Sequence, residues 1–344
     1  MIRRRRSRDV AHHTWLVIVV LLGLSLGCAD TEEVSNEPPG AAKRWEHIEF
    51  VERYSFEGPV LESEDLSGIA CVSPTRCLVG ADESRSVQVV ALSRADKTLT
   101  ALRTIELLGS GGEIDIEGIA VEADFYYVVG SHGIAKKSGD VQGNRYRLFR
   151  LKVDPATGLP GVYGAIATLS DILRDDPVLG LHFGKPLQQK GVNIEGLAIR
   201  NGRLFVGLRN PNLDGYAYVI EVGADDVFGA TTRPRYVLHK LRLGAGLGIR
   251  EIVALRTGFL IVAGNAGSEP SEEFPETVDY EKGRGFYMFY WAGKDAEADE
   301  IGSIPDAPGK AEAMTVLEEA ADHVMVLILF DGAENGRPSV YRID

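Results

Sequence analysis

Asp115–Gly133 reads DIEGIAVEADFYYVVGSHG. A short apolar run is followed by a turn, then by a second run of β-branched and aromatic residues that stops at a glycine. Two such runs so close together predict a hairpin of two buried strands. Four other stretches repeat the pattern: DLSGIACVSPTRCLVGADE at Asp65–Glu83, NIEGLAIRNGRLFVGLRNP at Asn193–Pro211, GIREIVALRTGFLIVAGNAG at Gly248–Gly267 and KAEAMTVLEEAADHVMVLILFDG at Lys310–Gly332. The spacing is nearly constant: 13 residues from Ser67 to Gly80, 13 from Glu117 to Gly130 and 12 from Glu195 to Gly207. Self-similarity of this kind, recurring every fifty to eighty residues or so, is the mark of a repeat architecture.

Each pair is followed by further strand-like segments, such as Ser86–Leu92, Arg145–Val153, Tyr216–Val222 and Phe286–Trp291. An outer strand comes next, at Leu102–Leu107, Val162–Leu169 or Tyr236–Leu241. Four antiparallel strands per unit make the blade of a β-propeller, so the expected fold is an all-β propeller of about five four-stranded blades. A sixth blade is possible if the long stretch between Gly118 and Gly196 hides a degenerate unit. Only Ser170–Asp175 suggests a turn of helix, with Ser170 as its cap. The fifth unit ends early, at Ser339–Ile343, whereas Ile48, Phe50, Tyr54 and Phe56 alternate as a strand does. The N-terminal strand is therefore expected to pair with the last blade and close the ring, which removes the exposed edges of an open sheet.

The chain begins with Arg3–Arg6 and Arg8, then an apolar run from Trp15 to Leu26. That run suits a signal peptide and is short for a membrane span. Leu24-Ser25-Leu26-Gly27-Cys28 resembles the lipobox of bacterial lipoproteins, with Ser25 and Leu26 departing from its preferred residues. We expect residues 1–27 to be a signal of lipoprotein type, with Cys28 lipidated. Residues 28–44 then form a flexible acidic linker and residues 45–344 the propeller. The expected location is exported, on a bacterial membrane at the periplasmic face or cell surface, as a monomer. An ordinary cleavable signal, or an uncleaved anchor, is the alternative.

Removing residues 1–27 takes away five Arg and one Asp and changes the formal charge from −13 to −17. Such an acidic domain is a poor partner for nucleic acid. Cys71 and Cys77 flank a short turn, and in an oxidising compartment they are expected to form a disulfide, the alternative being two small buried side chains.

The strings DIEGIA, VVGSHG, NIEGLA, VGLRNP, GIRE and CLVGADE resemble the bacterial domain-of-unknown-function family 3616 over nearly the whole mature domain. That family is similar in style to phytase-like and gluconolactonase-like propellers, several of which hold calcium at the channel mouth. The resemblance implies the propeller fold and carries no established activity.

In a propeller, the start of the innermost strand and the end of the second strand lie on one face. Glu117, Glu195 and Glu312 come from strand starts. Asp82, Glu83, His132, Arg209, Asn210, Asn265 and Asp331 come from strand ends. The long connections Gly133–Asn144, Leu169–Lys190 and Ala266–Arg284 emerge on the same rim, the usual place for a site. In the fourth unit, matching GIREI to DIEGI puts Arg250 opposite Glu117, whereas counting back from Gly264 puts Glu251 there. The Ile register favours Arg250.

Two readings follow. In the first, the propeller binds a small or polymeric ligand through Asp82, Arg209, Asn210 and Arg250, with the arginines pairing the glutamates or receiving an anion. In the second, Glu117, Glu195 and Glu312 hold Ca²⁺, and a metal-assisted hydrolase uses His132 as general base on an ester, lactone or phosphate. His182 and His323 have no zinc-like spacing, and no G-x-S-x-G elbow or cysteine nucleophile is present.

Overall fold

The computed structural model describes residues 45–154, 157–229, 231, 233–294 and 296–344. The signal segment, Cys28 and the acidic linker lie outside the described residues.

Five antiparallel sheets follow one another around a ring. Blade 1 runs outward from the inner strand Leu66–Ser73 through Arg76–Ala81 and Ser86–Ser93 to Thr98–Glu106. Blade 2 is Ile116–Glu122, Phe125–Gly130, Leu148–Val153 and Pro160–Ala167. Blade 3 is Asn193–Arg200, Arg203–Leu213, Tyr216–Gly223 and Tyr236–Arg242. Blade 4 is Leu247–Ala254, Phe259–Asn265, Tyr287–Trp291 and Asp299–Ser303. Blade 5 takes three strands from the C-terminus, Lys310–Glu319, Val324–Asp331 and Ser339–Ile343, and its fourth from the N-terminal segment Ile48–Arg53.

Ring closure has a second half. After pairing antiparallel with Ser339–Ile343, the N-terminal segment crosses to blade 1, where Ser55–Glu57 adds a parallel fifth strand beside Thr98–Thr100. One segment therefore holds the last blade to the first. The core is divided into five apolar layers, each between two neighbouring blades. In the layer between blades 3 and 4, Trp291 stacks on Phe259 with ring centroids 5.1 Å apart. Both faces of each blade are covered, which is why the strands read as nearly continuous apolar runs.

The stretch between Gly118 and Gly196 holds no sixth blade among the described residues. It completes blade 2 and then forms the helix Ser170–Asp175 and two short 3-10 turns, Leu179–Leu181 and Leu187–Gln189. Ser170 is not the expected cap. It is the first helical residue, Leu169 precedes it, and its hydroxyl lies 2.8 Å from Thr168 Oγ1. Cys71 and Cys77 face each other across the first hairpin of blade 1 and are joined by a disulfide.

Candidate ligand-binding mouth

The five inner strands share one irregularity. Each loses register by one residue near its start: between Leu66 and Gly68, Ile116 and Gly118, Ile194 and Gly196, Ile249 and Glu251, and Ala311 and Ala313. The extra residues are Ser67, Glu117, Glu195, Arg250 and Glu312. A β-bulge of this kind re-aims a side chain that would otherwise follow the pleat. Glu117, Glu195, Arg250 and Glu312 line a cavity of about 240 Å³ at this end of the channel. Ser67 instead donates its hydroxyl to the Ile116 carbonyl of the next blade. The shared bulge places Arg250, not Glu251, opposite Glu117.

The residue after the bulge is glycine in three blades because the inner strands nearly touch there. A Cβ on Gly118 would come within 2.9 Å of the Leu197 backbone nitrogen. In blade 4 this position is Glu251, whose buried carboxylate accepts the Ile252 N–H at 2.8 Å and the Leu197 N–H at 3.4 Å. Burial pushes its carboxyl well above the usual range despite those bonds. The opposite end of the channel is apolar, lined by residues such as Ile69, Ile119, Leu197 and Met314. The polar chemistry is thus concentrated at the bulge end.

On the side of blades 3 to 5 the charges are paired. Arg209 Nη1 sits 2.7 Å from Glu195 Oε1, and Arg250 Nε sits 2.7 Å from Glu195 Oε2. Arg250 also pairs with Glu312, and Lys310 with Asp331. The remaining Arg209 donors go to the carbonyls of Asn265, Ala266 and Gly267 at 3.2, 3.1 and 2.8 Å. Arg250 Nη1 donates to the Asn265 carbonyl at 3.3 Å. Burial, with Arg209 beside it, lowers Arg250 to about 10.

On the side of blades 1 and 2 the two carboxyls that line the cavity, Glu117 and Asp82, have no such partners. Glu117 is 9% exposed and has no hydrogen bond or ion pair among the described residues. Its carboxyl is pushed well up, first by burial and then by Glu195, Asp115 and Asp82, with Lys136 opposing. Asp82 is raised to about 7 by burial and by Asp115, Asp331 and Asp65, again against Lys136. Its Oδ1 is buried without a hydrogen-bond partner. Asp115 pairs with Arg145 at 3.0 Å, so that arginine is already engaged.

The other expected site residues are placed differently. His132 is not placed as the general base of the hydrolase reading: it is 1% exposed and does not line the cavity. Its Nδ1 lies 2.9 Å from the Gly130 carbonyl, and Nε2 accepts the Leu169 N–H at 3.0 Å. Both nitrogens are used, and burial lowers the ring to about 4, so it is a neutral structural group and not a placed base. Asn210 is also buried away from the cavity: it donates to the Leu187 carbonyl at 2.9 Å and accepts the Asn212 N–H at 3.0 Å. Asn265 lines the cavity and grips the 266–284 connection through the Glu281 backbone, at 2.9 and 3.0 Å. Glu83 is exposed and lies off the cavity.

The trio Glu117, Glu195 and Glu312 does not converge as a ligand set for calcium. Arg250 bridges Glu195 and Glu312, and the arginines occupy the carboxylate oxygens a metal would need. Among the described residues no group of three or more His, Cys, Asp or Glu is arranged to hold a metal ion.

Sequence reasoning missed Lys136, Ser268, Glu269, Tyr280, Arg284, Phe286 and Lys310, which complete the lining. Lys310 had a usable signal. It stands two residues before its bulge, the position held by Asp65, Asp115 and Asn193 in other blades. The rest come from loops or loop edges, whose course no repeat dictates. Gln188 anchors two of these loops, donating to the carbonyls of Lys136 and Glu269 at 3.1 and 3.0 Å.

Among solved structures, the chain is similar to a GH43 β-1,3-galactosidase bound to galactodeoxynojirimycin, at 8% identity, 86% of this chain, 93% of that one and a TM-score of 0.47. It is similar to a candidate 6-phosphogluconolactonase from Bacteroides uniformis at 10% identity, over 76% and 79% of the two chains, with a TM-score of 0.39. A GH43 protein of a Bacteroides ovatus xyloglucan locus matches at 10% identity and a TM-score of 0.42, over 83% of this chain and about half, 53%, of its own length. Likenesses this distant carry no functional argument. No curated protein matches the chain at a significant level. The profile of the protein family of unknown function DUF3616 matches residues 65–159 and 163–341, and the chain belongs to that family.

Proposed function

We propose that this chain is an exported, lipid-anchored propeller whose function is to bind a small polar ligand at the bulge end of the channel. The observation that carries the reading is the unequal mouth. One wall is a lattice of arginines and carboxylates, and the other presents Glu117 and Asp82 with no ion-pair or hydrogen-bond partner of their own among the described residues. Concave sites with a few placed polar groups are where small ligands bind, and unneutralised buried carboxyls are costly unless something uses them.

The test is thermal unfolding of the full chain against a panel of polar metabolites, in parallel with Glu117→Gln and Asp82→Asn. A compound that raises the wild-type Tm by several degrees and leaves both variants unmoved supports the reading. Hits that stabilise the variants equally place binding elsewhere and contradict it.

A further inference from the structure

We propose that the ligand of this mouth carries a protonated nitrogen, an ammonium or guanidinium group, received by Glu117 and Asp82. The proposal rests on the reading of the mouth as a binding site and goes further by assigning the chemical class.

Donors and acceptors at the mouth are unequally used. Five cationic side chains line the cavity: Lys136, Arg209, Arg250, Arg284 and Lys310. Four are already engaged. Arg209 and Arg250 hold glutamates and backbone carbonyls, Lys310 holds Asp331, and Arg284 holds Glu281 at 2.7 Å and the Ala245 carbonyl at 3.1 Å. Only Lys136 has no ion pair among the described residues. Six carboxyls line the same cavity: Asp82, Glu117, Glu195, Glu269, Glu312 and Asp331. Three of them, Glu195, Glu312 and Asp331, are paired. Asp82, Glu117 and Glu269 are left, and Glu117 is nine-tenths buried. What the mouth has to spare is acceptors.

An anionic ligand would find its natural partners, the two arginine forks, already filled. A bare divalent cation such as calcium wants six to eight oxygens, more than two free buried carboxyls supply. An ammonium group offers three donors and no acceptor, which matches two carboxyls with a third contact from Glu269 or solvent. Two aromatic residues, Tyr280 and Phe286, line the same cavity, and aromatic faces attract organic cations. A cavity of about 240 Å³ has the bulk of roughly eight waters, enough for a short amine and too small for a folded peptide. The proton balance follows from the burial of the empty carboxyls. An acid that is neutral before binding must release its proton to solvent to meet the cation, so binding should release protons near neutral pH.

The experiment is isothermal titration of the full chain at pH 7 with 1,4-diaminobutane, 1,4-butanediol and calcium chloride, in buffers of different ionisation enthalpy. The expected result is diamine binding at least tenfold tighter than the diol, with net proton release. Glu117→Gln and Asp82→Asn should each weaken it at least tenfold. Matched Tm values of wild type and variants at pH 4 show that the variants are folded. Equal binding of diol and diamine, binding of calcium alone, or no diamine binding overturns the assignment of a cationic ligand. Diamine binding that survives in the Glu117→Gln, Asp82→Asn double variant instead overturns the mouth as the site.

Discussion

The two walls of the mouth are built by the same bulge in the same repeated strand, yet they differ in state. In blades 3 to 5 the bulge residues are Glu195, Arg250 and Glu312, and with Arg209 their charges cancel within one buried lattice. In blades 1 and 2 they are Ser67 and Glu117, and Glu117 has no ion pair or hydrogen bond of its own among the described residues, with Glu195, Asp115 and Asp82 raising its carboxyl against Lys136. One substitution in the repeat, arginine for glutamate in blade 4, accounts for much of the difference. A scaffold with fivefold repetition becomes a site by breaking its own symmetry. The paired wall is rigid because removing any member strands a buried charge. The open wall is the one with chemistry left to offer.

The comparison is broken most severely at Arg250. Arg250→Leu leaves Glu195 and Glu312 buried without their shared partner, and should cost about 3–5 kcal/mol in urea unfolding at pH 7. Adding Glu312→Leu should recover part of that loss, because it removes one of the stranded carboxylates. A cost below about 1 kcal/mol for the single variant would show that the lattice is not what holds this wall.

His132 is buried just past the end of the second strand of blade 2, and its removal ranks next. His132→Ala should cost about 1–3 kcal/mol at pH 7, by freeing the Gly130 carbonyl and the Leu169 N–H. The folded ring titrates near 4, against about 6.5 unfolded, so the unfolded chain binds more protons between those values. Stability therefore falls as pH drops from about 6.5 toward 4. The variant should lose that slope while keeping the rest of the acid profile.

The smallest effect belongs to Lys136. It is exposed and unpaired, so Lys136→Ala should change stability by less than about 0.5 kcal/mol. It should nevertheless tighten 1,4-diaminobutane binding about twofold, since a like charge leaves the mouth. Titration of the variant checks both halves of the statement.

The repeated IEG triplet carried most of what the sequence could reveal. Its Ile fixes the strand register, its Glu marks the bulge, and its Gly marks the close approach to the next blade. That is why the five blades, and Arg250 as the fourth-blade counterpart of Glu117, could be read before the structure. The failures share another cause. His132 was read as a base on the rim, but Leu169, thirty-seven residues on in a connection with no repeat, caps its ring. Asn210 was read as a rim residue and is instead buried under Leu187 of that connection. Pairing was legible in outline and not in detail: the arginines were visible, but which glutamate each would take depends on the geometry of the closed ring.

The central claim is that Glu117 and Asp82 stand without ion-pair partners opposite a wall whose bulge residues are paired. The most direct test is the unfolding free energy of the full chain from pH 4 to 8, for the wild type and for Glu117→Gln, Asp82→Asn. Both acids titrate higher when folded than unfolded, Asp82 near 7 and Glu117 well above its usual range. The folded state thus holds more protons above about pH 4, and the wild type should lose stability relative to the variant as pH rises through that window. For Asp82, half-buried and partly screened, the loss by pH 8 is about 1–2 kcal/mol, with Glu117 adding to it. The account predicts curves that meet near pH 4 and diverge steadily, with the variant the more stable at pH 8. Parallel curves, or a wild type that gains on the variant as pH rises, would mean that these carboxyls are neutralised, and would contradict it.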